Sequence, residues 1–244
     1  MNLSEKYQSF KNLYHIVFNS PTIQLSLQLD KTKGNEPFFE SMTRKYYKDA
    51  TAKHPKMPLF GKLTRGVAVC ELNGDFELYL KGIESSGRRN IKKAKRLGYT
   101  FERINFNEYL DGVWDIRKST SVRQGKMPDD FVNKRPTKHS NPKSKTNTHD
   151  YPYFGVFSEK NELVAYAGCF LAGDVIELSH YYGHADHQKN GVTPLLITSI
   201  AEYVIQNHTH IKAYTYGGYI GASPTLKRFK KKFSFLPHRV IWSL

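Results

Sequence analysis

The sequence is poor in cysteine, short of acidic residues and free of long apolar runs, and each shortage removes a class of protein. Its two cysteines, Cys70 and Cys169, match neither a zinc-ligand spacing nor a disulfide framework. A thiolate metal site is therefore excluded, and a reducing, cytoplasmic setting is expected. Nowhere do eighteen apolar residues follow one another, and the segment from Met1 to Asn12 is polar, with Glu5, Lys6 and Lys11. Neither a membrane span nor an export signal is expected from that pattern. No repeat of fixed period and no low-complexity tract is present. Asp and Glu number 22 against 37 Lys and Arg, a formal net charge of +15 over 244 residues. A surface so biased attracts polyanions: nucleic acid, a phosphorylated cofactor or an acidic membrane face.

What is abundant is aromatic. Sixteen Tyr and fifteen Phe are too much bulky apolar material for a disordered chain, so the protein is expected to be globular. The first 60 residues mix short apolar pieces (Tyr14 to Phe18, then Ile23 to Leu29) with Pro21, Gly34, Pro37, Pro55 and Pro58, a pattern that predicts strands and loops. Val67 to Leu72 and Phe76 to Leu80 flank Asn73-Gly74-Asp75, the composition of a hairpin turn. A helix follows, with Ile83, Ile91, Ala94 and Leu97 as its apolar stripe and Gly98 as its stop.

Beyond Gly98 the order reads β-α-(α)-β-β-β-α-β-α-β. Tyr99 to Ile104 alternates as a strand, and Asn107 to Ser121 carries Tyr109, Leu110, Val113, Trp114 and Ile116 at helical spacing. Lys134 to Asp150, with Pro136 and Pro142, is a basic loop. Tyr153 to Phe157, Leu163 to Leu171 and Val175 to Tyr182 form an antiparallel meander. Val192, Leu195, Leu196, Ile200, Ala201, Val204 and Ile205 recur at three and four and predict a helix, with Pro194 tolerated in its first turn. Ile211 to Tyr216 is a strand, Ser223 to Lys232 a helix and Arg239 to Trp242 a final strand.

The run Gln188-Lys189-Asn190-Gly191-Val192-Thr193 opens a helix just after a strand that ends at Tyr182-Gly183. Backbone N–H groups and the positive end of a helix meet there, a volume suited to a pyrophosphate, although a glycine before a helix is more often an ordinary loop. The element order together with this run resembles the GNAT (Gcn5-related N-acetyltransferase) superfamily, whose acyl-CoA loop reads Gln/Arg-x-x-Gly-x-Gly/Ala. The resemblance covers roughly Tyr99 to Leu244 and departs from the motif at Thr193. It implies an α+β fold: a central mixed, mostly antiparallel sheet flanked by helices over residues 99–244, with residues 1–98 as a partial GNAT-like N-terminal α/β region. It also implies that the strand before the loop splays from the next one. Tyr182, Gly183, His184, Gln188, Lys189, Asn190, Gly191, Val192 and Thr193 would then hold acyl-CoA, acetyl-CoA foremost, while an amine acceptor attacks the thioester directly. Two further segments, Ser86-Gly87-Arg88-Arg89-Asn90-Ile91-Lys92-Lys93-Ala94-Lys95-Arg96-Leu97-Gly98 and Leu226-Lys227-Arg228-Phe229-Lys230-Lys231-Lys232-Phe233, are similar to the Fem-type aminoacyl transferases. Those chains hold two GNAT-like units and take aminoacyl-tRNA as donor, whereas the first 98 residues here are too few for a full unit.

His180, His184 and His187 lie within eight residues, at the strand end that the resemblance implies would face the acyl group. One of them, His180, is a candidate general base beside the plainer structural and surface readings, and no metal is expected. By strand parity Glu177, Ser179 and Tyr181 share one face, and Leu178, His180 and Tyr182 the other, so either Glu177 or His180 lines the acceptor cleft, not both. Tyr216, among Tyr214, Tyr216 and Tyr219, is a candidate to protonate the leaving thiolate or else a cleft wall. Arg123-Gln124-Gly125 follows a helix at a place where, by the resemblance, GNAT folds recruit acceptor-binding residues, or it is a helix end with a Gly cap. The basic runs Lys81 to Arg103 and Lys227 to Arg239, with the Lys134 to Lys145 loop, share one sign and favour contact with tRNA or DNA through backbone phosphates. Alternatives carried forward are an aminoacyl-tRNA donor, a transferase that modifies a nucleic acid, and a non-catalytic polyanion-binding module.

Overall fold

A computed structural model describes residues 3–32, 37–123, 125–140 and 146–244. The chain opens with helix α1 (Leu3–Phe18), strand β1 (Thr22–Ser26) and helix α2 (Pro37–Thr51), then strands β2 (Lys53–His54), β3 (Met57–Gly61) and β4 (Val67–Glu71). Helices α3 (Phe76–Gly82) and α4 (Ser85–Arg96) lead to β5 (Thr100–Ile104), α5 (Leu110–Lys118) and α6 (Asp129–Asn133). The remainder is β6 (His149–Asp150), β7 (Tyr153–Phe157), β8 (Leu163–Ala172), β9 (Val175–Gly183), α7 (Val192–Asn207), β10 (Ala213–Gly218), α8 (Pro224–Lys232) and β11 (Leu236–Ser243). A nine-stranded sheet runs β1-β11-β4-β10-β9-β8-β7-β5, with β6 on the side of β8. Only the β1·β11 and β10·β9 pairs in it are parallel, so the fold is the mixed, mostly antiparallel α+β arrangement expected. The sheet crosses position 98: β4 pairs with β10 and β11, and β1 with β11.

Two expectations fail near the N-terminus. Helices α1 and α2 stand where strands and loops were expected, and Pro37 does not break the second but begins it, at a position where a missing N–H costs nothing. The hairpin at Asn73-Gly74-Asp75 is absent as well. The Asp75 carboxylate accepts the Glu77 and Leu78 N–H groups at 2.8 and 3.1 Å, and this N-cap starts α3 across Phe76 to Leu80. The alternation there was not a two-faced strand, for Leu78 is 49% exposed while Tyr79 is buried.

The centre of one face is α7, whose residues from Val192 to Ala201 are all buried. A helix apolar all round needs cover on every side. It is wrapped by the sheet, by α3 and by α4, with Ile91 and Ala94 of α4 in the same cluster. Gly98, at φ +73°, ends the α4 segment as its position suggested. The opposite face carries α2 through Phe39 and Trp242, and α5 through Val113 and Ile116. Of the basic loop, residues 134–140 are irregular and tied by Lys134 to Asp130 and Arg135 to Asp111, while 141–145 lie outside the described residues. No helix among the described residues is long and apolar enough to cross a membrane.

Candidate functional site

The β9·β10 ladder pairs Ala213 with Val175, Tyr214 with Ile176 and Thr215 with Glu177, and then stops. Strand β10 shifts register between Thr215 and Gly218 and continues only against β4, with Gly217 at φ +52°. Beyond Glu177, β9 runs on to Gly183 paired with β8 alone among the described residues, so its edge toward β10 has no strand partner. A cleft of about 980 Å³ occupies this splay. It is lined by Asn90, Gly183, Gln188, Thr193, Tyr216 and Phe229 together with Arg123, His180 and Tyr182.

The cleft is lined by consecutive residues of β9 and so is open to both faces of the sheet, and β9 is bulged where it enters. Gly168 pairs with His180 but Cys169 pairs with Leu178, which leaves Ser179 as an extra residue. Parity inverts across it, so Glu177, His180 and Tyr182 share one face while Leu178, Tyr181 and Gly183 share the other. The expected opposition of Glu177 and His180 is thereby corrected: one inserted residue cannot be seen in a period-two pattern.

Glu177, although on the His180 face, does not line the cleft. Its carboxylate accepts hydrogen bonds from the Gly217 N–H at 3.1 Å, the Tyr46 hydroxyl at 3.3 Å and the Thr215 hydroxyl. Burial raises its pKa, against those hydrogen bonds and the charge of Lys230. Lys230 is only 2% exposed; its Nζ donates to the Gly218 carbonyl at 2.7 Å and sits 4.6 Å from the centre of the Tyr216 ring. Burial pushes the Lys230 pKa down to about 8, with Glu177 opposing the shift.

His180 does line the cleft, against Tyr153, Tyr166 and Tyr182. Burial, then the charges of Arg117 and His139, lowers its pKa to about 4, so the imidazole is neutral near pH 7 and a weak base. Tyr216 also reaches the cleft and donates its hydroxyl to that of Tyr181 at 3.0 Å.

The turn after β9 is braced from within the protein. Gln188 Nε2 donates to the Gly183 carbonyl at 3.2 Å, and Lys93 Nζ to the Lys189 carbonyl at 2.9 Å. Asn190 Nδ2 donates to the Tyr99 hydroxyl, which shares a 2.7 Å hydrogen bond with His187 Nδ1. The His184 ring caps the turn through the Asp186 N–H and lies 3.4 Å from Asp115. Gly191 sits at φ +84°, and a Cβ there would stand 2.3 Å from the Asn90 carbonyl oxygen. The space that a Cβ at Gly191 would need is thus taken by the main chain of α4. Val192 and Thr193 follow as the first residues of α7, whose leading amides have no carbonyl a turn earlier to bond. The Thr193 hydroxyl is buried without a partner among the described residues, at the inner end of the cleft.

Arg123 ties β9 to α5. Its guanidinium donates to the Gly183 carbonyl at 2.8 Å and the Ile116 carbonyl at 2.6 Å and lies 5.4 Å over the Tyr182 ring. Gln124 lies outside the described residues. Sequence reasoning missed Tyr46, Asn90 and the buried ammonium of Lys230. The first two come from a region read as a separate unit, and the last was hidden in a run of exposed lysines.

No protein-family model and no curated protein matches this sequence. Solved structures do. FemX superposes with a TM-score of 0.51 at 13% identity over 70% of this chain and 60% of its own. The C-terminal domain of a putative lysylphosphatidylglycerol synthetase from Agrobacterium fabrum gives 0.47 at 15%, over 68% and 55%. A tandem GNAT protein from the clavulanic acid biosynthesis pathway gives 0.40 at 12%, over 58% and 43%. The chain therefore spans less than two thirds of the length of each. Likeness at such identities speaks to architecture, and the splayed sheet with its flanking helices is the GNAT fold, in the arrangement also found in FemX.

Proposed function

We propose that this protein is an N-acyltransferase that moves an acyl group from acyl-CoA to an amine in the β9·β10 cleft. The observation that carries this reading is the edge of β9 left without a strand partner among the described residues, beside the start of α7, in a cleft open to both sheet faces. On the α7 face the thioester carbonyl would lie against the main chain of β9, whose fixed dipoles would polarise it without reorganising. The acceptor would approach from the His180 and Tyr182 face. Its nitrogen lone pair forms the C–N bond, the C–S bond breaks, and the thiolate takes a proton from the Tyr216 hydroxyl, itself linked to Tyr181. His180, neutral near pH 7, would accept a hydrogen bond from the amine and orient it, leaving water to carry off the ammonium proton.

A second donor, aminoacyl-tRNA, is favoured by one specific observation: α4 packs its Asn90 backbone against Gly191, where the phosphates of CoA would otherwise come closest. Lys232 of α8 lines the cleft, and α4 and α8, whose residues Asn90, Leu226 and Phe229 also line it, carry several more Lys and Arg that suit a longer polyanion. Calorimetric titration with CoA, filter binding of tRNA across a salt series, and mass spectrometry of amines incubated with acetyl-CoA distinguish the two. CoA binding with N-acetylated product supports the first reading. Salt-dependent tRNA binding without CoA binding supports the second, and neither binding nor transfer refutes both.

A further inference from the structure

We infer that Glu177 is a positioning residue that holds the sheet open, and that its carboxylate takes no proton from the acceptor. The inference rests on the acyl-transfer reading for its consequence, but its geometry stands alone. In the β10 row the Gly217 N–H points toward β9, where an uninterrupted parallel ladder would bond it to a main-chain carbonyl. It meets Glu177 Oε1 at 3.1 Å instead. A side chain therefore replaces backbone at the first rung beyond Thr215, and the two strands are separated by the length of a carboxylate. The other oxygen accepts from Thr215 on the same strand and from Tyr46 of α2, so the wedge is anchored to both β10 and the helix beneath. Gly217 takes the left-handed conformation that lets β10 turn away, and a Cβ there would meet nothing within 4 Å, so the bend is not caused by crowding.

A buried carboxylate needs compensation. Three hydrogen bonds supply part of it, and Lys230, held on the Gly218 carbonyl one residue further along, supplies a nearby positive charge. Carboxylate and ammonium thus fix the main chain of consecutive residues of β10, Gly217 through its N–H and Gly218 through its carbonyl, on the departing side of the splay. Glu177 does not line the cleft, so it touches neither reacting group.

The test uses the full chain with Glu177→Gln and Glu177→Ala. Gln keeps an acceptor oxygen for Gly217, and the Thr215 and Tyr46 hydroxyls can rotate to accept from its amide. Glu177→Gln should retain CoA or tRNA affinity and transfer rate within about threefold. Glu177→Ala should weaken donor binding at least tenfold and speed hydrogen exchange of the Gly217 amide at least tenfold. Tyr46→Phe, which removes one anchor, should fall between them. Two results overturn the inference: Glu177→Gln losing a hundredfold in rate with Gly217 still protected, which marks a base, or Glu177→Ala leaving Gly217 protected and donor affinity intact. If the wild type neither binds nor transfers, the acyl-transfer reading fails while the exchange measurement still judges the wedge.

Discussion

Replacing Gly191 by Ala separates two reasons for a glycine at the head of α7. A non-glycine residue at φ +84° pays a left-handed cost of about 1–2 kcal/mol. The added Cβ also stands 2.3 Å from a main-chain oxygen of Asn90, which cannot swing aside like a side chain, so α4 or α7 must shift. Overpacking of that kind costs about 1–3 kcal/mol. Together the loss is about 2–5 kcal/mol, which at about 2–4 °C per kcal/mol for a chain of this size lowers Tm by roughly 4–20 °C. Gly74→Ala is the matched control, because Gly74 sits at φ +74° with nothing within 4 Å of its hypothetical Cβ and should lose only the conformational part. Thermal denaturation by circular dichroism compares the pair in one buffer. A Gly191→Ala protein that melts no lower than Gly74→Ala would refute the packing of α4 against this turn.

Tyr216→Phe removes one hydroxyl and its bond to Tyr181, and should lower kcat at least tenfold while KM for the donor moves less than threefold; an unchanged kcat removes Tyr216 as the acid. For His180 the native pKa of about 4 lies below the unfolded value near 6.5, so the unfolded chain binds the proton first and stability falls as pH drops through that window. Between pH 8 and pH 5 this amounts to at most about 2 kcal/mol, and urea midpoints of His180→Gln should lose that much less than wild type; identical pH profiles would contradict it. Arg123→Ala deletes charge-assisted bonds to Gly183 and Ile116 and should cost about 2–4 kcal/mol in chemical denaturation while weakening donor binding; a loss under about 0.5 kcal/mol would show that the clamp is not formed in solution.

The region from Tyr99 onward was legible because its signals are local and periodic: the three-strand meander with tight turns, the apolar repeat of α7 and the Ser223-Pro224 start of α8. The start of the chain was not. In α2 the apolar residues Phe39, Met42, Tyr46 and Ala50 do recur at helical spacing, but aromatics and the flanking prolines favour an extended reading until a sheet is present to receive that face. Asp75 illustrates a local tie, since the same residue serves a hairpin turn or a helix N-cap, and the tie was broken by the burial of Tyr79. In the site, His180 and Tyr216 reach the cleft as their positions suggested, while Glu177 does not. That only one of Glu177 and His180 lines it was expected, but the face each occupies was not, because Ser179 is an insertion that no spacing rule announces. What keeps Glu177 out is its hold on Thr215, Gly217 and Tyr46, the last a contact between residues 131 apart in the chain.

The parallel pairing of β1 with β11 sets the order in which this molecule can be finished. Thr22 aligns with Arg239 and Ser26 with Ser243, so the outermost strand waits on a partner made on the order of two hundred residues later. Until then Leu25, which ends up fully enclosed, is exposed along an unpaired edge, the kind of surface that recruits other chains. During synthesis and refolding β1 should therefore be the last strand to gain protection and the first site of misassembly. Removing the final eight residues should leave a protein that collapses but aggregates, however complete its cleft.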